Sequence, residues 1–131
     1  MIQTRIIIAL GSNSPCADNI TKAKKLVERT FKEVYFSRTM LTDPIGQLFR
    51  ETRNGELPRK FANCIATALT TLSADEVKEV LKDIEAQCGD SSENRANGLV
   101  LLDADLLLHG KERHHESDWE RPYIRELMKE F

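Results

Sequence analysis

The chain has 131 residues, 40% of them hydrophobic and 31% charged, with a formal net charge of −2. That length fits one domain over residues 1–131, able to bury a core without metal or disulfide staples. The mixed-sign charge offers no basic footprint for nucleic acid or an anionic membrane, and no window approaches the roughly eighteen apolar residues of a membrane span. The run Ile6-Ile7-Ile8-Ala9-Leu10 is too short for a signal-peptide core. Cys16, Cys64 and Cys88 are odd in number and form no CxxC pair, which reads as reduced thiols. The expectation is a soluble, cytoplasmic, monomeric protein without nucleic-acid or membrane partners.

Arg5 to Leu10 is a β-branched run ending at Gly11-Ser12-Asn13, a strand entering a turn. After Asp18, the residues Ile20, Ala23, Val27 and Phe31 are apolar at helical spacing. Val34 to Met40 reads as a second strand. Residues 41–60 contain Asp43-Pro44, Asn54-Gly55 and Pro58 and read as a long loop, which in compact domains is usually functional or mobile. Phe61 to Thr71 is a third strand. Ser73-Ala74-Asp75-Glu76 is a capping box, and Val77, Val80, Leu81 and Ile84 form the stripe of the helix it opens. Gly89 stops that helix, and residues 88–98 read as a second loop. Leu99 to Leu108 is an apolar fourth strand broken by two aspartates. Pro122 opens a last helix with Ile124, Leu127, Met128 and Phe131 on one face.

The order is a ferredoxin-like β-α-β-β-α-β, an α+β fold with an antiparallel sheet, helices on one face and an added C-terminal helix. Charge is uneven along it. Residues 1–87 hold 13 basic and 11 acidic side chains, whereas residues 88–131 hold 6 and 10.

The chemistry concentrates in Asp103-Ala104-Asp105. Strand alternation puts Val100, Leu102, Ala104, Leu106 and Leu108 on one face and both aspartates on the other. Two carboxylates about 7 Å apart along a strand repel each other, and burying them unpaired costs several kcal/mol. Solvent, basic partners or a divalent cation can offset this. An oxygen-only pair suits Mg²⁺ bridging to phosphates, while a solvated pair on an open sheet face is the plainer account of the pattern. Phe61 and Asn63 share a strand face and offer a ring to stack on and an amide to hydrogen-bond a heterocycle; a core Phe beside a satisfied Asn is the plainer account. His109, His114 and His115 lack the spacing of a metal site and read as surface residues. Cys64 and Cys88 have no base nearby in sequence.

Taken together, Ile8-Ala9-Leu10-Gly11-Ser12-Asn13, Thr42-Asp43-Pro44-Ile45-Gly46, Phe61-Ala62-Asn63, Leu72-Ser73, Ile84-Glu85 and the run from Leu102 to Leu108 resemble the 6-hydroxymethyl-7,8-dihydropterin pyrophosphokinase family, over about residues 6–110. The resemblance implies transfer of the terminal pyrophosphate of ATP to a pterin hydroxymethyl group, with release of AMP. It implies two Mg²⁺ ions on Asp103 and Asp105, the catalytic pair. It implies a pterin held by Thr42, Asp43, Pro44, Ile45, Phe61 and Asn63, and a nucleotide bordered by Glu85 and Leu106. Where the family carries arginines after the second helix and three residues before the first aspartate, this chain has Asp90, Ser92 and Val100. A later family Arg and His fall at Asp118 and Tyr123. Arg95, Lys111, Arg113, Arg121 and Lys129 are candidate substitutes. The alternative is therefore a pterin- or nucleotide-binding module, catalytically impaired by loss of the phosphate-clamping arginines.

Overall fold

A computed structural model describes residues 2–14, 18–43 and 60–131. The strands are β1 (Thr4–Ser12), β2 (Lys32–Phe36), β3 (Met40–Thr42), β4 (Phe61–Thr70), β5 (Asp103–His109) and β6 (Glu112–Arg113). The helices are α1 (Asp18–Thr30), α2 (Ala74–Gln87), α3 (Ser92–Ala96) and α4 (Pro122–Met128), with a 3₁₀ helix at Glu116–Glu120. The strands form one antiparallel sheet in the order β2-β4-β1-β5-β6, with β3 also paired to β4. Of the loop expected over 41–60, residues 44–59 lie outside the described residues. None of the described helices is long and apolar enough to cross a membrane.

Alternation in β1 divides the core. Ile6, Ile8 and Leu10 meet Ala23 and Val27 of α1, Val77, Leu81 and Ile84 of α2, and Ala104 and Leu106 of β5. Ile7 points the other way, into a second cluster with Ile65, Leu107 and the α4 residues Ile124 and Leu127. The α2 cap forms as the sequence indicates. The Glu76 N–H donates to Ser73 Oγ at 3.2 Å, and the Ser73 N–H donates to Glu76 Oε1 at 2.9 Å.

Five expectations need correction. The strand expected over Val34–Met40 is two strands. Ser37 leaves the ladder, its hydroxyl accepting the Ile65 N–H at 2.8 Å, and the chain rejoins β4 at Met40. The strand expected from Leu99 begins only at Asp103, because side chains take the backbone groups of the approach. Asn13 Oδ1 accepts the Val100 N–H at 2.6 Å, and Asp90 Oδ1 accepts the Leu101 N–H at 3.2 Å. The loop expected over 88–98 contains α3, capped by Ser91, whose hydroxyl accepts the Asn94 N–H at 3.1 Å. Finally, a register shift opposite Ile7 and Ile8 makes Leu107 an extra residue in β5. The bulge reverses the alternation, so Leu108 packs with the α4 cluster rather than on the face of Leu106. At the C-terminal end, α4 stops at Met128 and Phe131 lies beyond it, exposed.

Along Asp103–Leu106, β5 pairs with β1 on one side only; β6 joins at Leu108 and His109. On the open side, Glu85 Oε2 of α2 accepts the Ala104 N–H at 2.8 Å. Arg95 of α3 donates to the Leu102 carbonyl at 3.1 Å. Two helices thus close this stretch of edge with side chains.

Leu107 is fully buried, so Leu107→Ala should lower stability by about 3 kcal/mol, read as a lower urea midpoint with an unchanged slope. Glu85→Ala leaves the Ala104 N–H without its acceptor. Its amide exchange should rise at least about tenfold while the core amides of β1 change little; equal exchange at Ala104 in both proteins would count against the edge closure.

Candidate active site

Sheet register assembles the site. Gly11 of β1 pairs with Asn63 of β4 on one side and Asp103 of β5 on the other, and Met40 of β3 continues the row beyond Asn63. One step along, Ala9 pairs with Ile65 and Asp105, and Thr42 pairs with Phe61. Directly paired residues share a sheet face, so Phe61, Asn63, Gly11, Asp103 and Asp105 look out together. They line a cleft of about 190 Å³ with Thr42, Asp43, Asp118, Arg121 and Tyr123. Pro44 and Ile45 lie outside the described residues.

The floor needs small residues. A Cβ on Gly11 would stand 3.1 Å from Asn63 Oδ1, tight enough to displace the amide. Asn63 is buried and donates to Thr42 Oγ1 at 2.8 Å, with the Met40 and Phe61 carbonyls each at 3.3 Å. These contacts use its NH₂ end. Its carbonyl oxygen, over Gly11, meets no donor among the described residues, so the cleft carries a fixed acceptor beside the half-buried Phe61 ring.

A second cavity, of about 400 Å³, lies along the open edge of β5, bordered by Lys78, Lys82, Glu85, Asp90, Ser92, Arg95 and His115. Leu106 borders it from the core, 1% exposed. Asp103 and Asp105 line both cavities. Their carboxylates form the shared wall.

That wall is crowded with negative charge. Burial, then Asp103, then Asp118 and Glu85 push the Asp105 carboxyl up to about 8. Burial also raises Glu85, against the pull of its Ala104 hydrogen bond and Arg95. The nearest basic side chains are outnumbered. Arg95 reaches Asp103 at 3.4 Å but is also held by Asp90 at 2.7 Å. His115 lies 3.7 Å from Asp105 and 3.8 Å from Asp118, and Arg121 lies 3.1 Å from Asp118. Among the described residues no three side chains of His, Cys, Asp or Glu converge to hold a metal by themselves. Two hard oxygen ligands with surplus negative charge suit Mg²⁺, which keeps several waters and shares substrate phosphates.

Sequence reading singled out Asp118, Arg121 and Tyr123 only through the resemblance, and missed that the chain after β5 forms a wall of the cleft. His115 is exposed, as expected of a surface residue, and its left-handed backbone (φ 50°) at the head of the 3₁₀ helix also brings it near the aspartates. The β5–β6 hairpin around Gly110 turns the chain back, so Asp118, Arg121 and Tyr123 reach the cleft. The acidic excess of this region was the available signal. His109 Nε2 sits 2.9 Å from the Leu72 carbonyl, and His114 is partly buried. Cys64 and Cys88 are free and buried, and burial pushes the Cys64 thiol up to about 11, far from a nucleophilic thiolate. Cys16 lies outside the described residues.

A model of the family described as 7,8-dihydro-6-hydroxymethylpterin-pyrophosphokinase matches residues 7–131. The chain is also 30% identical over 129 residues to the folate synthesis bifunctional protein of Arabidopsis thaliana. That similarity covers 91% of this chain and 25% of the plant protein, so the chain spans about a quarter of the length of that relative. With the family model matching nearly the whole chain, we conclude that the protein belongs to the 7,8-dihydro-6-hydroxymethylpterin-pyrophosphokinase family.

Proposed function

We propose that residues 1–131 act as one pyrophosphokinase domain in folate synthesis, transferring the terminal diphosphate of Mg-ATP to 6-hydroxymethyl-7,8-dihydropterin and releasing AMP. The observation that carries this reading is the wall shared by two cavities: Asp103 and Asp105 face a ring-and-amide cleft on one side and a cavity with lysines and an arginine on the other. A flat heterocycle fits the first and a nucleotide the second, with the phosphates meeting at the carboxylates.

In the pterin cleft, Asn63 offers its carbonyl to a ring N–H, Phe61 offers a face for stacking, and Gly11 leaves room for the ring. Thr42 and Asp43 border the same cleft, and Pro44 and Ile45 complete the proposed set. On the nucleotide side, Glu85 and Leu106 border the ligand, while Lys78, Lys82 and Arg95 supply positive charge. Asp103 and Asp105 would hold Mg²⁺, in the family's manner two ions, which would supply positive charge to offset that of the ATP phosphates. The pterin hydroxyl oxygen bonds to the β-phosphorus as the bond from that phosphorus to the oxygen bridging the α-phosphorus breaks. AMP leaves with that oxygen, and the hydroxyl proton passes to solvent. Chain residues act by positioning and by excluding water, as such transfers require.

One observation favours the second reading, a binding module with impaired catalysis. Asp90 and Asp118 each engage an arginine, Arg95 and Arg121, and so take up part of the hydrogen-bonding capacity that phosphates could use. Each charge-assisted contact withheld is worth about 1.5–3 kcal/mol.

The deciding measurement is AMP formation from Mg-ATP with and without hydroxymethyldihydropterin. Pterin-dependent AMP is expected, at a slow rate; pterin binding without AMP supports the module, and no binding of either ligand overturns both readings. Asp103→Ala should keep the melting profile intact and abolish the Mg²⁺ dependence of ATP binding. Asn63→Ala should weaken pterin binding about tenfold or more in calorimetry, and unchanged affinity would reject the pocket assignment.

A further inference from the structure

Arg121 is the one cation among the described residues that line the pterin-side cleft; Asp43, Asp103, Asp105 and Asp118 lining it are acidic. Its Nη2 lies 3.1 Å from Asp118 Oδ1, and the Tyr123 hydroxyl is its second partner. A guanidinium has five N–H donors in a rigid fork, so these two contacts hold it and leave donors for a ligand.

The mount is rigid. The Arg121 N–H closes the 3₁₀ helix onto the Asp118 carbonyl at 3.1 Å, and the Arg125 N–H donates to the Arg121 carbonyl at 3.1 Å as α4 begins. Pro122 at the first turn of α4 holds Arg121 in extended backbone. Below it, Ile124 and Leu127 of α4 are buried against the sheet. Aspartate, arginine and tyrosine therefore stand where the 3₁₀ helix meets α4, a junction anchored in the core.

We infer that Arg121, mounted by Asp118 and Tyr123, binds the diphosphate on the pterin side of the Asp103–Asp105 wall. The cleft then recognises the diphosphorylated pterin and not merely the free alcohol. This rests on the proposed transfer. Arg121 lines the pterin cleft and Arg95 the other cavity, so the two arginines meet the migrating group from opposite sides. Arg95 faces the diphosphate while it is joined to AMP. Arg121 meets it as the bond to the hydroxymethyl oxygen forms, and contacts that strengthen along the reaction raise kcat more than they lower KM.

The plainer role for Arg121 is to neutralise Asp118. The test separates the two by calorimetry on the full chain with Mg²⁺, titrating 6-hydroxymethylpterin and, separately, its diphosphate. Arg121→Ala should lose about tenfold to a hundredfold in affinity for the diphosphate, with free pterin changed by less than about twofold. Asp118→Ala/Arg121→Ala should show the same loss. Recovery of wild-type affinity in the double variant would overturn the assignment and leave only charge neutralisation, and so would an Arg121→Ala chain that binds the diphosphate as wild type does. If Arg121→Ala fails to fold, Arg121→Lys replaces it. That variant keeps the charge but loses the fork, and is expected to lose several-fold for the diphosphate alone; affinity for the diphosphate unchanged from wild type would overturn the assignment. A wild-type chain that binds free pterin but discriminates against its diphosphate overturns this inference alone. One that binds neither overturns the proposed transfer as well.

Discussion

Everything at the site depends on the double pairing of β1. Antiparallel ladders on both sides fix Gly11 against Asn63 and Asp103 at once, so an amide from one strand and a carboxylate from another face the same cleft across a residue without a side chain. Because side chains alternate, a slip of one residue in either ladder would turn that partner into the helix-packed core. The apolar residues Ile6, Ile8 and Leu10, buried under α1 and α2, enforce the register. Core packing and site geometry are therefore set by one constraint.

The second organising feature is electrostatic. Asp90 and Arg95 form a pair at the end of α2 that binds backbone groups at Leu101 and Leu102, while Glu85 takes the Ala104 N–H. The charged residues of 85–95 thus hold the approach to the aspartates as well as giving the second cavity its character. On the other side of the wall, the 3₁₀ helix brings a further acid, Asp118, close enough to raise Asp105. A carboxyl held that high carries a deficit of positive charge that a cation relieves.

Much of this was legible in the residues. The capping box at Ser73, the stripe from Val77 to Ile84 and the alternation of Asp103 and Asp105 are short-range patterns whose physics is local. The helix order and the facing of the two aspartates followed from them. What escaped was non-local. No pattern in Leu99–Leu102 reveals that Asn13, 87 positions before Val100, and Asp90 will claim its backbone. A bulge at Leu107 is invisible in a run of three leucines, since any of them could be the extra residue. Ser37 resembles an ordinary strand residue until its hydroxyl meets Ile65. The cleft wall after β5 depends on a hairpin of only two paired positions, too short to leave a periodic trace.

The side-chain closure of β5 also bears on how the molecule meets other chains. An unpaired strand edge offers donors and acceptors at the spacing that a second strand would match, the usual route to edge-to-edge association. Here Glu85 occupies the Ala104 N–H and Arg95 the Leu102 carbonyl, and both bring charge where an incoming strand would have to lie. The stretch that carries the aspartates is thereby open to small polar ligands approaching from the side and closed to β-sheet extension. Access for a ligand and resistance to aggregation are secured by the same two side chains.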